Sequence, residues 1–256
     1  MIQFLQQTGY LFIRGLKQSL RPLPALIPSL FMPLFFLIVN AGAFANLRNL
    51  PGFDASSYLV FYAPVAILQS IFFSSGDAGI DLVVDITSGY FDRLKITPIH
   101  PMSLLLGKLL AVGVRVIAQM LLVVLVILLL GGRFATGIAG LPLLLLLGAL
   151  FGMAWSGVGL TIALLTRNQR ATQSAFVLFF PFSFITTAQL PLHLLSGWYH
   201  TAVILNPVTY VLEALRALTT YGWQWQTIGN GFLAAACIAV VTLSTAFYAF
   251  NRNVSR

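Results

Sequence analysis

Charge is scarce in this chain. Asp, Glu, Lys and Arg make up 8% of its 256 residues, where a soluble globular chain carries about 25%. A water-facing surface of ordinary extent is therefore excluded. Six residues are acidic, and no acidic pair falls within an apolar stretch, so the usual proton relay of an ion-driven carrier has no place to form. The single cysteine, Cys237, excludes an internal disulfide, and no Cys/His cluster has zinc spacing. His100, His193 and His200 lie in different polar breaks, and no Ser/His/Asp constellation is recognisable. No Gly-x-x-x-x-Gly-Lys-Ser/Thr loop occurs, so the chain does not bind ATP by that means. If the protein pumps, its energy is expected to come from another chain.

What is present is hydrocarbon. Hydrophobic residues make up 59% of the sequence and the mean hydropathy is +0.92. The apolar stretches run over residues 25–45, 58–80, 104–130, 141–165, 172–190 and 228–250. Each approaches or exceeds the roughly 20 residues that a helix needs to cross ~30 Å of hydrocarbon. The expectation is a single all-α integral membrane domain over residues 1–256, with six transmembrane helices. The net charge of +8 does not indicate nucleic acid, because the charges sit in the breaks and at the ends. Pro22, Pro24, Pro28 and Pro33 mark the start of the first span and kink it. Gly148, Gly152 and Ser156 form a four-residue ladder of small side chains, suited to close helix approach. Cys237, inside the last span, reads as a small packing residue.

Residues 1–21 precede the first span and do not read as a cleaved signal peptide, whose apolar core would be short and near the start. Projected at 100° per residue, Gln3, Gln6, Gln7, Arg14, Lys17, Gln18 and Arg21 share one arc, with Ile2, Leu5, Phe12, Ile13, Leu16 and Leu20 opposite. The pattern predicts an amphipathic helix along the membrane interface, or one packed on the protein's own cytoplasmic side. Basic residues set the orientation. With the N-terminus inside, the inner segments hold Arg14, Lys17, Arg21, Arg93, Lys95, Lys108, Arg167, Arg170, Arg252 and Arg256, and the outer segments only Arg48, Arg133 and Arg216. Both termini are expected in the cytoplasm of a bacterial inner (plasma) membrane protein.

Five features could carry chemistry. Asp77, Asp81 and Asp85 share one helix face, read as a solvated face with basic residues nearby rather than as a metal or acid/base site. Gly89–Pro98 (GYFDRLKITP) is the longest inner break, and Phe91, Leu94 and Ile96 stand there as exposed apolar residues beside charges, a pattern that suits docking to a partner. A loop packed on its own membrane helices is the alternative. Arg115 lies well inside a span, two turns beyond Lys108, and either snorkels or serves a function. Phe176, Phe179, Phe180, Phe182 and Phe184 could line an apolar path or face lipid. The outer segment 191–227 gathers Trp198, Tyr199, Tyr210, Tyr221, Trp223 and Trp225, interface residues by preference. Within it, Asn206-Pro207 predicts a helix start, and Glu213 and Arg216 stand at pairing distance on that helix.

These elements, in this order, resemble the ABC transporter type-2 permeases, and most closely the daunorubicin-resistance-type drug exporters. The likeness rests on Tyr58–Pro64, on GYFDRLKITP with Gly107-Lys108, and on Phe180–Leu218 with its Asn206-Pro207-Val208-Thr209-Tyr210 and Glu213-Ala214-Leu215-Arg216. The resemblance implies an ABC ATPase in two copies, carrying the ATP and Mg that this chain does not hold, and a second permease chain. It implies a coupling helix at about 85–97, seated on the ATPase through Gly89, Phe91, Asp92, Arg93, Leu94 and Lys95. It places a substrate route between the permeases along the first and fifth spans, with Asn40, Phe176, Phe180 and Gln189 as candidates. It closes that route above with outer re-entrant helices at 191–218, around Asn206, Pro207, Glu213 and Arg216.

The function implied is ATP-driven export of a hydrophobic or amphipathic substrate (drug, antibiotic or lipid) by alternating access. The polar Thr187-Ala188-Gln189 departs from the pattern and bears on the substrate's polarity. Two rival functions stand beside it: export of a lipid-linked polysaccharide or teichoic-acid precursor, and, from another class, an ion-driven secondary transporter or a membrane scaffold.

Overall fold

A computed structural model describes residues 2–20, 23–46, 57–95 and 101–254. The described residues are helices and short connections, without a strand. In chain order the helices are α1 (Ile2–Leu20), α2 (Leu23–Ala43), α3 (Tyr58–Thr87), α4 (Tyr90–Lys95), α5 (Pro101–Leu129), α6 (Leu141–Thr166), α7 (Gln169–Gln173), α8 (Ala175–Phe184), α9 (Gly197–Leu205), α10 (Pro207–Arg216) and α11 (Trp225–Val254). A π-helical turn, Ala217–Tyr221, follows α10.

Among the described residues, four helical stretches are long and apolar enough to cross a membrane: Tyr58–Thr87, Met102–Leu129, Gly137–Thr166 and Trp225–Arg252. The stretches Gly197–Leu205 and Pro207–Tyr221 meet at 83° and qualify as a fifth only if taken together. In the first expected span the apolar helix Ser29–Ala43 is shorter. The expected span 172–190 is broken into α7 and α8. Asn168 caps α7 by accepting from Arg170 N and Ala171 N. Helix α8 stops at Phe184 because the Asn206 amide donates to the carbonyls of Phe182 (2.9 Å) and Ile185 (2.6 Å), which satisfies oxygens that a longer helix would have paired itself.

Helix α6 is the hub of the bundle, and small residues on three of its faces explain this. A Cβ at Gly148 would meet Met120 Sδ of α5 at 2.2 Å, one at Gly152 would meet Val116 Cγ2 at 2.7 Å, and one at Gly157 would meet the Thr242 carbonyl carbon of α11 at 2.8 Å. From the facing side, a Cβ at Gly79 of α3 would meet the Gly159 carbonyl oxygen at 2.5 Å. Backbones this close bring many dispersion contacts into range without hydroxyl or charge. The predicted ladder thus packs α5 and α3 through Gly148 and Gly152, while Ser156 turns its hydroxyl back to Met153 O.

Candidate functional site

One end of the bundle, the one expected to face the cytoplasm, holds a charge cluster. Asp77, Asp81 and Asp85 share a face of α3, as the spacing predicts, but that face is not solvated. Asp85 is buried, and its two oxygens take cations from two different helices: Arg14 Nη2 of α1 on Oδ1 at 2.9 Å, Lys108 Nζ of α5 on Oδ2 at 2.5 Å. Arg115 Nη2 pairs with Asp77, and Arg115 Nη1 lies 3.7 Å from Asp81. The triple like-charge row is offset by three cations. Arg115 therefore turns to α3 and does not snorkel. Its Nε and both polar atoms of Gln119, one turn further on, are buried without a hydrogen-bond partner among the described residues.

Helix α1 takes part directly. Gln7 lies opposite Ser103, Leu11 against Gly107, and Gly15 against Ala111. The residue offset is 96 each time, so α1 runs parallel to α5 over two turns. A Cβ at Gly107 would meet Leu11 Cβ at 2.8 Å; glycine is what admits α1. Part of the polar arc faces inward, through Arg14 and through Gln18, which approaches Asp81 O at 3.5 Å, while Gln6 and Lys17 stay exposed. The face left exposed carries Leu5, Tyr10 and Ile13. Of the two expected settings for this helix, packing on the protein's own helices is present.

The stretch 85–97, expected to form a coupling helix, is divided. Asp85–Thr87 close α3, Gly89 turns the chain at φ +71°, and α4 follows. Glycine suits that conformation because a Cβ would be strained there. Arg14 lies over the Tyr90 ring at 3.4 Å, so one guanidinium joins α1 to both α3 and α4. Phe91 is not the exposed anchor expected from the sequence. It is buried, edge-on to Phe250 of α11 at 5.8 Å, because burying a phenyl ring against the last span removes more apolar surface from water than leaving it in a loop. Arg93 is exposed. The side chains of Asp92, Leu94 and Lys95, and residues Ile96–Pro98, lie outside the described set.

The four route candidates do not form one cluster. Asn40 is buried on α2, its amide donating to Phe36 O at 2.8 Å. Gln189 sits at the other end of a chain of contacts through α3: Tyr58 OH lies 3.2 Å from both the Gln189 carbonyl and its side-chain oxygen, and Phe44 packs on Tyr58. Phe176 fills the notch at Gly76 and Phe180, exposed, stacks on Phe184 at 6.1 Å. They string along α2, α8 and the segment after α8. A cavity of about 320 Å³ with apolar walls lies beside α8, lined by Trp155, Leu178, Phe182, Pro207, Cys237 and Val241 and by none of the four.

The outer segment turns on Asn206. Its side chain caps α10 by accepting from Val208 N and donates to the two α8 carbonyls, so one residue fixes the bend between α9 and α10. Glu213 and Arg216 pair at 2.5 Å. Thr187 donates to the same Glu213 oxygen, and Arg216, fully buried, also reaches Thr187 Oγ1 (3.0 Å) and Thr187 O (2.8 Å) and lies 4.3 Å over the Phe61 ring. Pro207 stands at the first turn of α10, where a missing N–H costs nothing. Sequence reasoning missed Tyr90, Thr187, Phe61 and the convergence of Arg14 and Lys108 on Asp85. Only the last had a signal, since three spaced aspartates require cations.

Comparison with known proteins identifies the family. The model of the ABC-2 type transporter family matches residues 6–220. The daunorubicin resistance ABC transporter permease protein DrrB1 of Streptomyces coeruleorubidus is 27% identical over 198 residues, covering 75% of this chain and 68% of the relative. The probable doxorubicin resistance ABC transporter permease protein DrrC of Mycobacterium tuberculosis is 25% identical over 220 residues, covering 86% and 78%. The putative transport permease ycf38 of Cyanophora paradoxa is 27% identical over 229 residues, covering 85% and 76%.

Proposed function

The chain belongs to the ABC-2 type transporter family, and on that premise we propose that it is the membrane-spanning permease of an exporter driven by a separate ABC ATPase. Two ATPase copies, carrying ATP and Mg, and a second permease chain complete the unit. The substrate is hydrophobic or amphipathic, leaving the cytoplasm or the inner leaflet by alternating access. Residues 1–256 act as one transmembrane domain with both termini in the cytoplasm, and α2 and the α7–α8 pair complete a set of six crossings. Relatives named as drug-resistance permeases and the apolar cavity beside α8 favour this substrate class over a polysaccharide precursor.

The observation that carries the reading is the position of α4. It is a six-residue helix between two membrane-length helices, at the end where the basic residues gather, and Arg14 binds its base to α1 and α3. A helix placed so, bearing exposed Arg93, passes movement of a docked ATPase to α1, α3 and α5 together. Coupling of this kind requires each ATPase state to fit one permease state better than the other. Above, the Asn206 bend holds α9 and α10 as the re-entrant cover.

The test is a mild-detergent pull-down from native cells with cross-linking. A stoichiometric ATPase bearing a phosphate-binding loop is expected, lost in Arg93→Ala with insertion unchanged. Recovery of the chain without any ATPase would transfer the reading to a scaffold or ion-driven carrier.

A further inference from the structure

The cavity of about 320 Å³ beside α8 takes its walls from four helices, α6, α8, α10 and α11. Trp155 and Val158 stand near the middle of α6, and Cys237 and Val241 near the middle of α11. Both helices are of membrane length, so the cavity lies near half-depth of the hydrocarbon, where no water is at hand to fill it. The one hydroxyl in its walls, on Thr242, is committed to Ala154 O (2.5 Å) and Ile238 O (2.9 Å). What the walls offer a ligand is hydrocarbon, rings and one thiol. A helix, about 10 Å across with its side chains, does not enter a space of this size.

Both long walls continue as stripes toward the end of the bundle that holds the charge cluster. Gly152 packs on Ile71 and Gly159 on Gly79, so α6 runs parallel to α3 and ends where Asp85 does. Gly157 packs on Thr242 and the Thr161 and Thr245 hydroxyls lie 3.3 Å apart, so α11 runs the same way. On α6, Trp155, Val158, Ile162 and Leu165 share one face, and Leu165 is 59% exposed. On α11, Val241, Thr245, Tyr248 and Arg252 share another, and Tyr248 is 69% exposed.

The stripes end in arginine. Arg167 and Arg170 follow α6, Arg252 stands in the last turn of α11, and all three are exposed. Arg167 takes a left-handed φ of +49° at a helix end where glycine is usual, which keeps a cation at the foot of the stripe. Val158 and Arg167 are nine residues apart, and Val241 and Arg252 eleven, about 14 and 16 Å at 1.5 Å per residue. Half of the hydrocarbon core is about 15 Å. Cations at the membrane boundary and an apolar cavity one leaflet deeper match the two ends of a lipid.

We propose that the cavity takes one acyl chain of an anionic phospholipid from the leaflet at that end, with the phosphate on Arg167, Arg170 and Arg252. Arginine meets phosphate through charge-assisted, bidentate hydrogen bonds, and basic clusters at helix ends draw anionic headgroups. The lipid is a resident of this face and not cargo, and its binding needs no ATP.

The test uses the full chain, with whatever partner copurifies, in phosphatidylcholine nanodiscs. A trace of phosphatidylglycerol or of phosphatidylcholine, each with a diazirine at the end of one acyl chain, serves as the probe. After illumination, labelled positions are read by peptide mass spectrometry. Label from phosphatidylglycerol should concentrate at 155–158 and 237–242. It should exceed that from phosphatidylcholine there by about fivefold or more, the scale of one arginine beside an anionic headgroup. Arg167→Gln, Arg170→Gln and Arg252→Gln together should bring the two probes level. Val241→Trp, which fills the cavity, should remove label from Trp155 with either probe. Leu125 and Leu128, exposed on α5, report ordinary lipid contact and should keep their label in every variant, which guards against a folding defect. Equal label from the two probes at the cavity of the unaltered chain overturns the proposal. So does label spread evenly over the cavity and α5, or a phosphatidylglycerol preference that survives the arginine changes. Neither transport nor ATPase is measured, so the outcome is separate from that of the exporter reading.

Discussion

The two buried charge clusters, at the inner end and in the outer segment, differ in how completely their carboxylates are used. Asp85 holds one cation on each oxygen, from helices 71 residues upstream and 23 residues downstream. Glu213 holds its cation three residues away and uses one oxygen. A saturated carboxylate with partners on separate helices is a joint: it carries mechanical connection and has no capacity left for a ligand. A half-used carboxylate on one helix joins little and keeps an acceptor available. The chemistry is the same; saturation and the chain distance of the partners separate a joint between helices from a pair within one helix.

That comparison can be broken most directly at Asp85. Asp85→Asn leaves Arg14 and Lys108 without their anion, and breaking a buried pair costs about 3–5 kcal/mol. A loss of that size in unfolding free energy, measured in detergent, is expected together with loss of transport; an unchanged midpoint would remove the joint. Phe91→Ala should come next, at about 3 kcal/mol or slightly more for a buried ring, because Phe91 packs on Phe250. If it acted as a docking anchor instead, the variant would lose ATPase in a pull-down while its thermal unfolding stayed the same. Gly79→Ala tests whether the joint depends on close helix approach: the added methyl meets the Gly159 carbonyl, and overpacking of this kind costs about 1–3 kcal/mol. Thr187→Val is the mildest, about 1 kcal/mol for hydrogen bonds lost, and sharpens the outer half of the comparison. It should lower stability slightly with ATPase recovery unaltered, whereas loss of the ATPase would put the outer segment on the wrong side.

Legibility followed sequence distance. The Glu213–Arg216 pair, the cap at Asn206 and the small-residue ladder of α6 could be read because each lies within one or two turns of helix, where spacing determines geometry. Periodicity also placed Asp77, Asp81 and Asp85 on one face, but it could not say what that face meets. The same limit applies to α1, where Arg14 and Gln18 of the polar arc turned out to face α3, and to Phe91, whose exposure was inferred from its charged neighbours and corrected by Phe250, 159 residues away. The stretch 172–190 carries enough apolar residues to be a span, yet Asn206 takes the carbonyls at its end.

By itself the sequence determined that this is an all-α chain of membrane-length apolar helices with its basic residues gathered on one side. Hydrophobicity, helical period and charge placement are local, and they follow from side-chain chemistry before any two helices meet. Tertiary structure alone decided which faces are buried, that three aspartates of α3 meet three cations from α1 and α5, and that the outer carboxylate keeps one oxygen open. Those outcomes depend on which glycines admit which neighbours across long separations, and no one-dimensional pattern contains that information.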